Sequence, residues 1–253
     1  VRVGFAVALV TACASWGRAV EAQPRDAIPE TPAAPPMVEA TGEVEGAVVA
    51  PVAMPAMELG ALSGRQCLRA LTRVGVPFER VHSGMAGVGT PLYVTGPIRG
   101  VTVRSTRARG IREPMDCLLA LGLARFATFL RARNVREIRH MSVHRGGDPG
   151  DLARHPVLPR HQGGLAIDAA VFVLDDGTEY DVSRDFHGTL GAPVCGPTAR
   201  VGAQPGARFL RSLFCDAARQ GLFHVMLSPN FNDDHHNHFH LEITRSVSWR
   251  FVR

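Results

Sequence analysis

One acidic residue, Asp168, interrupts the apolar run "LAIDAAVF" at positions 165–172. The run reads as a buried strand, where a carboxylate is costly unless it is paired or bound to a cation. Any fold of this chain must therefore bring a partner to Asp168. Just upstream, "HQGG" places His161 before Gly163 and Gly164, which permit a sharp approach into the strand. A metal shared with histidines is the natural compensation.

A second segment supplies the histidines. "FNDDHHNHFHLEI", residues 231–243, holds His235, His236, His238 and His240 within six positions. In "HFHLEI", period-two alternation sends His238, His240 and Glu242 to one sheet face and Phe239, Leu241 and Ile243 to the other, apolar face. Two imidazoles so spaced can aim at one spot, although one metal need not take both. Two neutral imidazoles, one carboxylate and an open fourth position are the donor set of a catalytic zinc site.

The rest of the chain is organised around these segments. "VRVGFAVALVTACASW" reads as an export signal, one arginine followed by an apolar run too short to span a bilayer stably. Two processing routes compete: cleavage after "VEA", making residues 1–22 a signal peptide, or lipidation at Cys13, since "VTAC" resembles a lipobox. The expected location is accordingly periplasmic or tethered to the outer membrane. Residues 23–58 are rich in Pro, Ala and Glu and lack aromatics, the composition of a disordered linker. Residues 59–253 form the expected folded domain, and the 253-residue chain, 45% hydrophobic overall, suffices for one sizeable core or two small ones.

Either route leaves Cys67, Cys117, Cys195 and Cys215, and in an exported chain four cysteines imply two bridges with three possible connectivities. Pairing Cys67 with Cys117 and Cys195 with Cys215 is preferred, because each pair lies within one half of the chain. All basic side chains are arginine and the net charge is +5. Outside the cytoplasm such a protein drifts toward acidic polymers such as cell wall. Nothing resembles a lysine-rich tract or an aromatic-basic nucleic-acid module.

Local signals sketch an α+β fold. Ser63 is placed to cap a helix carrying Cys67, Leu68, Leu71 and Val74, ended by Gly75. "PLYVTGPIRGVTVRS" reads as short strands joined by turns. A longer helix starts near Pro114, with Leu119, Leu123, Phe126 and Leu130 on one side. "VREIRHMSVHR" reads as a strand ending at Arg145, and residues 164–182 as a hairpin turning at Asp175–Gly177. A last helix carries Leu210, Leu213, Phe214 and Ala217, and "LFHVMLS" and "HFHLEI" add strands. Helices followed by clustered strands argue for a central antiparallel sheet flanked by helices.

His161 and Asp168 with Gly164 and Ala166 between them, then a distant His238-x-His240, resemble the lysostaphin/D-alanyl-D-alanine peptidase/hedgehog superfamily. More narrowly, "HQGGLAIDAAVFVLDDG", "FLRSLFCDAARQGLF" and "NFNDDHHNHFHLEI" are similar to the bacterial extensin-like carboxy-terminal domain. The resemblance implies a hedgehog/D-Ala-D-Ala-peptidase-like fold and one zinc ion held by His161, Asp168 and His240. It implies His238 as the catalytic residue assisting the metal-bound water or the oxyanion, and Arg145 as the residue gripping substrate. His235 matches a position that supports a ligand or touches substrate, whereas His236 reads as solvent-exposed. Pro159 stands where relatives usually carry a serine, which bears on loop geometry or substrate contacts and not on zinc binding. The expected activity is that of a monomeric zinc metallopeptidase cleaving peptide bonds in peptidoglycan cross-links or stem peptides. The alternative is a non-catalytic, zinc-stabilised cell-wall-binding module. His144, His155, His187 and His224 are read as ordinary polar residues.

Overall fold

A computed structural model describes residues 55–82, 85–107, 112–155 and 157–253. The export signal, the Cys13 anchor and positions 23–54 of the linker lie outside these residues. In chain order the elements are α1 (Pro55–Gly60), α2 (Gly64–Arg73), β1 (Phe78–Arg80), β2 (Pro91–Val94), β3 (Thr102–Ser105), β4 (Met115–Asp116), α3 (Cys117–Arg131) and β5 (Val135–His140). There follow α4 (Pro149–Arg154), β6 (Ala166–Leu174), β7 (Glu179–Asp181), α5 (Val182–Asp185), α6 (Pro205–Arg219), β8 (Val225–Leu227), β9 (Phe239–Glu242) and β10 (Phe251–Val252). Among the described residues no helix is long and apolar enough to cross a membrane.

Residues ahead of Leu59, the expected domain boundary, are already helical. Pro55 opens α1, Ala56 is fully buried, and its amide donates to the carbonyl of Gly221 at 3.0 Å. In α2 the anticipated cap is present as a full capping box: the Ser63 side chain accepts from the Gln66 amide, and the Gln66 side chain accepts from the Ser63 amide. Helix α3 is capped by the buried Asp116, whose side chain accepts from the Leu118 amide. Its apolar residues run almost all the way round, so it is buried on nearly every side.

Seven strands form the main sheet, in the order β10-β8-β9-β6-β5-β3, with β7 paired to β6. The centre, β8-β9-β6-β5, is antiparallel as expected. The margins are not: β3 runs parallel to β5, and β10 parallel to β8, so the sheet is mixed. Parallel neighbours require a crossover, and α3 lies in the connection between β3 and β5. The two strands of "PLYVTGPIRGVTVRS" also part company. β2 joins a small sheet, β1-β2-β4, while β3 joins the large one. Local β-character does not name a strand's partner.

The apolar face of the large sheet packs on the helices. Phe239 meets Phe172, Phe186 and Phe214 at ring-centroid distances of 5.9, 5.5 and 5.0 Å. Leu241 and Ile243 are equally buried on that side. Both preferred disulfides are formed. Cys67–Cys117 ties α2 to α3, and Cys195–Cys215 ties the segment before α6 to that helix. By loop-closure entropy they contribute about 4 and about 3 kcal/mol.

Candidate metal centre

Strands β6 and β9 pair in a register that sets Asp168 directly opposite His240. Both side chains project from the face opposite Phe239, and both are buried. His161 arrives from the turn before β6. Gly163 and Gly164 make that turn possible: a Cβ on Gly163 would lie 1.7 Å from the Leu158 carbonyl oxygen, and Gly164 has φ +65°. The anticipated sharp approach is thus a steric requirement.

Three ligand atoms converge. His161 Nε2 lies 3.0 Å from Asp168 Oδ1 and 3.1 Å from His240 Nδ1, and His240 Nδ1 lies 3.2 Å from Asp168 Oδ1. Donors about 2.0–2.1 Å from a tetrahedral metal stand about 3.3 Å apart. The triangle therefore needs adjustments of only a few tenths of an ångström to hold an ion. His161, Asp168 and His240 could hold a metal ion.

The outward-facing atoms of both imidazoles support the same assignment. His161 Nδ1 lies 3.0 Å from the Val143 carbonyl, which only accepts, so this nitrogen carries the proton. His240 Nε2 lies 3.4 Å from the Glu242 carboxylate, which requires a proton there too. In the neutral rings the inward atoms, His161 Nε2 and His240 Nδ1, are lone pairs aimed at an aspartate oxygen. Such a cluster of acceptors calls for a shared cation, and outer carbonyl and carboxylate partners of this kind orient metal-binding histidines. A proton on His240 can meet the same demand. Burial lowers the His240 pKa, but the hydrogen bonds to Asp168 and Glu242 outweigh it and raise the value overall. Burial pushes Asp168 upward, and the three histidines around it pull it far below the usual carboxylate range.

Arg145 is not at the end of a strand. β5 stops at His140, after a bulge between Arg139 and His140, and the next residues follow a loop of their own. There the Met141 amide donates to the Asp168 carbonyl, and the Arg145 amide to that of His161. The Arg145 guanidinium donates to Asp168 Oδ2 at 2.5 Å and to Ser142 Oγ at 2.9 Å. It thereby holds the carboxylate so that Oδ1 faces the histidines, while more than half of its side chain stays exposed.

His238 and His235 stand beside the three-residue cluster. His238 precedes β9, and its Nε2 lies 3.2 Å from Asp168 Oδ1, with Nδ1 at 2.7 Å from Asn237 Oδ1. It touches the aspartate but is outside the mutual three-residue cluster. His235, in a 3-10 turn at Asp233–His235, pairs Nδ1 with Asn232 Oδ1 at 2.5 Å. Its ring centroid stands 5.1 Å from that of His238 and 5.7 Å from that of His240. Burial and then the neighbouring His240 and His238 lower its pKa to about 4. His236 is exposed, as expected, with its ring on the Asp233 carbonyl. Pro159 lies in the tight turn, where its carbonyl accepts from the Gly163 amide. His224 is buried and accepts from the Thr244 amide, a structural role.

Two participants had no assigned role at the sequence level. Glu242 lay on the correct face by alternation, but nothing local tied it to His240. Glu113 accepts from the amides of Val143 and His144 at 2.6 and 3.2 Å, fixing the carbonyl that orients His161. No motif marks it, because that contact spans 30 residues.

Comparison with curated proteins and with solved structures finds no match in either. The family model described as "Extensin-like protein C-terminus" matches residues 65–253, a span that includes His161, Asp168 and His240, and the chain belongs to that family.

Proposed function

We propose that the protein is an exported zinc-dependent hydrolase of peptide bonds in peptidoglycan cross-links or stem peptides, of the lysostaphin/D-Ala-D-Ala-peptidase/hedgehog type. One observation carries the reading: His161 Nε2, Asp168 Oδ1 and His240 Nδ1 converge at 3.0–3.2 Å while each imidazole is tied through its other nitrogen to an outer acceptor. Two imidazoles and a carboxylate are a three-protein-ligand set that leaves a fourth position open. Zinc held there supplies Lewis acidity and brings the pKa of a coordinated water toward about 7.

The chain's own residues do the remainder. Arg145 and Glu242 hold Asp168 and His240 in their orientations, so little reorganisation accompanies binding. His238, with Nε2 directed at Asp168, is positioned to take or return a proton beside the reacting carbonyl. The exposed remainder of the Arg145 guanidinium is available to a substrate carboxylate. The two disulfides fit an oxidising, extracytoplasmic setting.

His238 also favours the second reading, a zinc-stabilised wall-binding module. An imidazole already 3.2 Å from Asp168 is close enough to close the fourth position. Digestion of purified sacculi with and without chelator separates the two. Muropeptide fragments that vanish with chelator support hydrolysis. Wall binding with no fragments under either condition overturns it in favour of the module.

A further inference from the structure

The metal centre lies on one face of the large sheet, and α3 and α6 cover the other through Phe239, Leu241 and Ile243. On the helical side, α2 packs Cys67 and Leu71 inward and leaves Arg65, Arg69 and Arg73 exposed. Spacings of four residues align these three along one stripe. Like charges at that spacing destabilise a helix. Among the described residues none of the three has an acidic partner, whereas Arg131, Arg133 and Arg139 elsewhere are each paired.

The stripe runs into a cleft of about 450 Å³ between α1, α2 and α3. Leu59, Leu62 and Leu121 line it with apolar surface, and Arg73, Arg99 and Arg125 stand around it. Arg125 is committed to Glu58 and the Pro55 carbonyl. Arg99 is exposed, has no acidic partner among the described residues, and is held at φ +49°, a left-handed conformation unfavourable for a non-glycine residue. Unpaired guanidiniums beside an apolar recess match a phosphate headgroup with its hydrocarbon chain.

We propose that this helical face docks on an anionic phospholipid bilayer, with Arg65, Arg69, Arg73 and Arg99 on lipid phosphates and the cleft against acyl-chain carbon. Docked this way, the protein turns its metal centre, on the far side of the sheet, away from the membrane. The inference is independent of the chemistry at that centre.

The test uses the full chain and sedimentation with vesicles of phosphatidylcholine alone or with about 30% phosphatidylglycerol, a content in the range where anionic lipid attracts basic residues. Two variants are compared: Arg65→Glu/Arg69→Glu/Arg73→Glu, and Arg107→Glu/Arg136→Glu/Arg200→Glu, which makes the same change in net charge at exposed arginines elsewhere that have no acidic partner among the described residues. Residues 1–54 are common to both, so their contribution cancels. Binding of the α2 variant to anionic vesicles at least about tenfold weaker than that of the other variant, with the difference suppressed by salt, is the expected result. Equal losses in the two variants, or wild-type binding equally tight to neutral vesicles, would overturn it. Should charge reversal unfold α2, Arg65→Gln/Arg69→Gln/Arg73→Gln keeps helix propensity and reads the same contrast.

Discussion

Glu242 Oε2 lies 3.4 Å from His240 Nε2, on the side of the ring away from Asp168. The carboxylate is buried and is held in turn by the Thr244 hydroxyl at 2.8 Å. It fixes the His240 proton on Nε2 and directs the Nδ1 lone pair at Asp168 and the candidate metal position. Glu242→Gln is therefore expected to weaken zinc binding by about 10- to 100-fold in a chelator-competition titration. Unaltered affinity would show that the contact does not tune the ligand.

Removing a ligand should act more completely. His240→Ala is expected to lose both stoichiometric zinc and muropeptide cleavage, with the fold retained because Phe239 and Leu241 still fill the core. Full hydrolysis by the variant would sink the zinc assignment.

Protons and metal compete for the same lone pairs. The His240 pKa is raised in the metal-free protein, so its contribution to stability is present below the unfolded imidazole value of about 6.5 and is lost as pH rises through the folded value. Zinc requires the deprotonated ring, so its stabilisation grows over the same interval and its affinity falls in acid. The difference in Tm between zinc-loaded and metal-free protein should increase with pH from about 5 to 8, around the reference imidazole value. A difference independent of pH would exclude imidazole ligation.

His235 acts in the other direction. Its pKa is lowered to about 4, so below about 6.5 the unfolded chain takes up a proton that the folded site refuses. Stability is lost as pH falls between these values, by on the order of 1 kcal/mol once solvent screening of a half-buried ring is allowed for. Denaturant titrations of metal-free His235→Gln should show a flatter pH dependence there; a slope equal to wild type would contradict the assignment.

A methyl group at Gly163 has nowhere to go, since its Cβ would lie 1.7 Å from a backbone oxygen. Gly163→Ala should displace the turn that delivers His161, lowering both Tm and zinc stoichiometry. Zinc content and thermal unfolding equal to wild type would mean that the turn relaxes without moving His161.

Much of this organisation was readable in the chain. The Ser63 cap, the apolar positions of α3, and the alternation of Phe239, Leu241 and Ile243 are local patterns, because caps and amphipathic faces follow from backbone periods of 3.6 and 2 residues. Asp168 was conspicuous for a related reason: a carboxylate in an apolar strand announces an absent partner. The preferred cysteine pairing rested on position in the chain alone, and both bridges are present.

Other relationships were decided only by folding. That β3 lies parallel to β5, that Arg145 grips Asp168, and that Glu113 braces the loop behind His161 depend on residues 23 or more positions apart. Residue type and spacing determine what a side chain can donate, accept or bury. Which acceptor it meets is set by strand register and loop path, and those are settled by packing of the whole core.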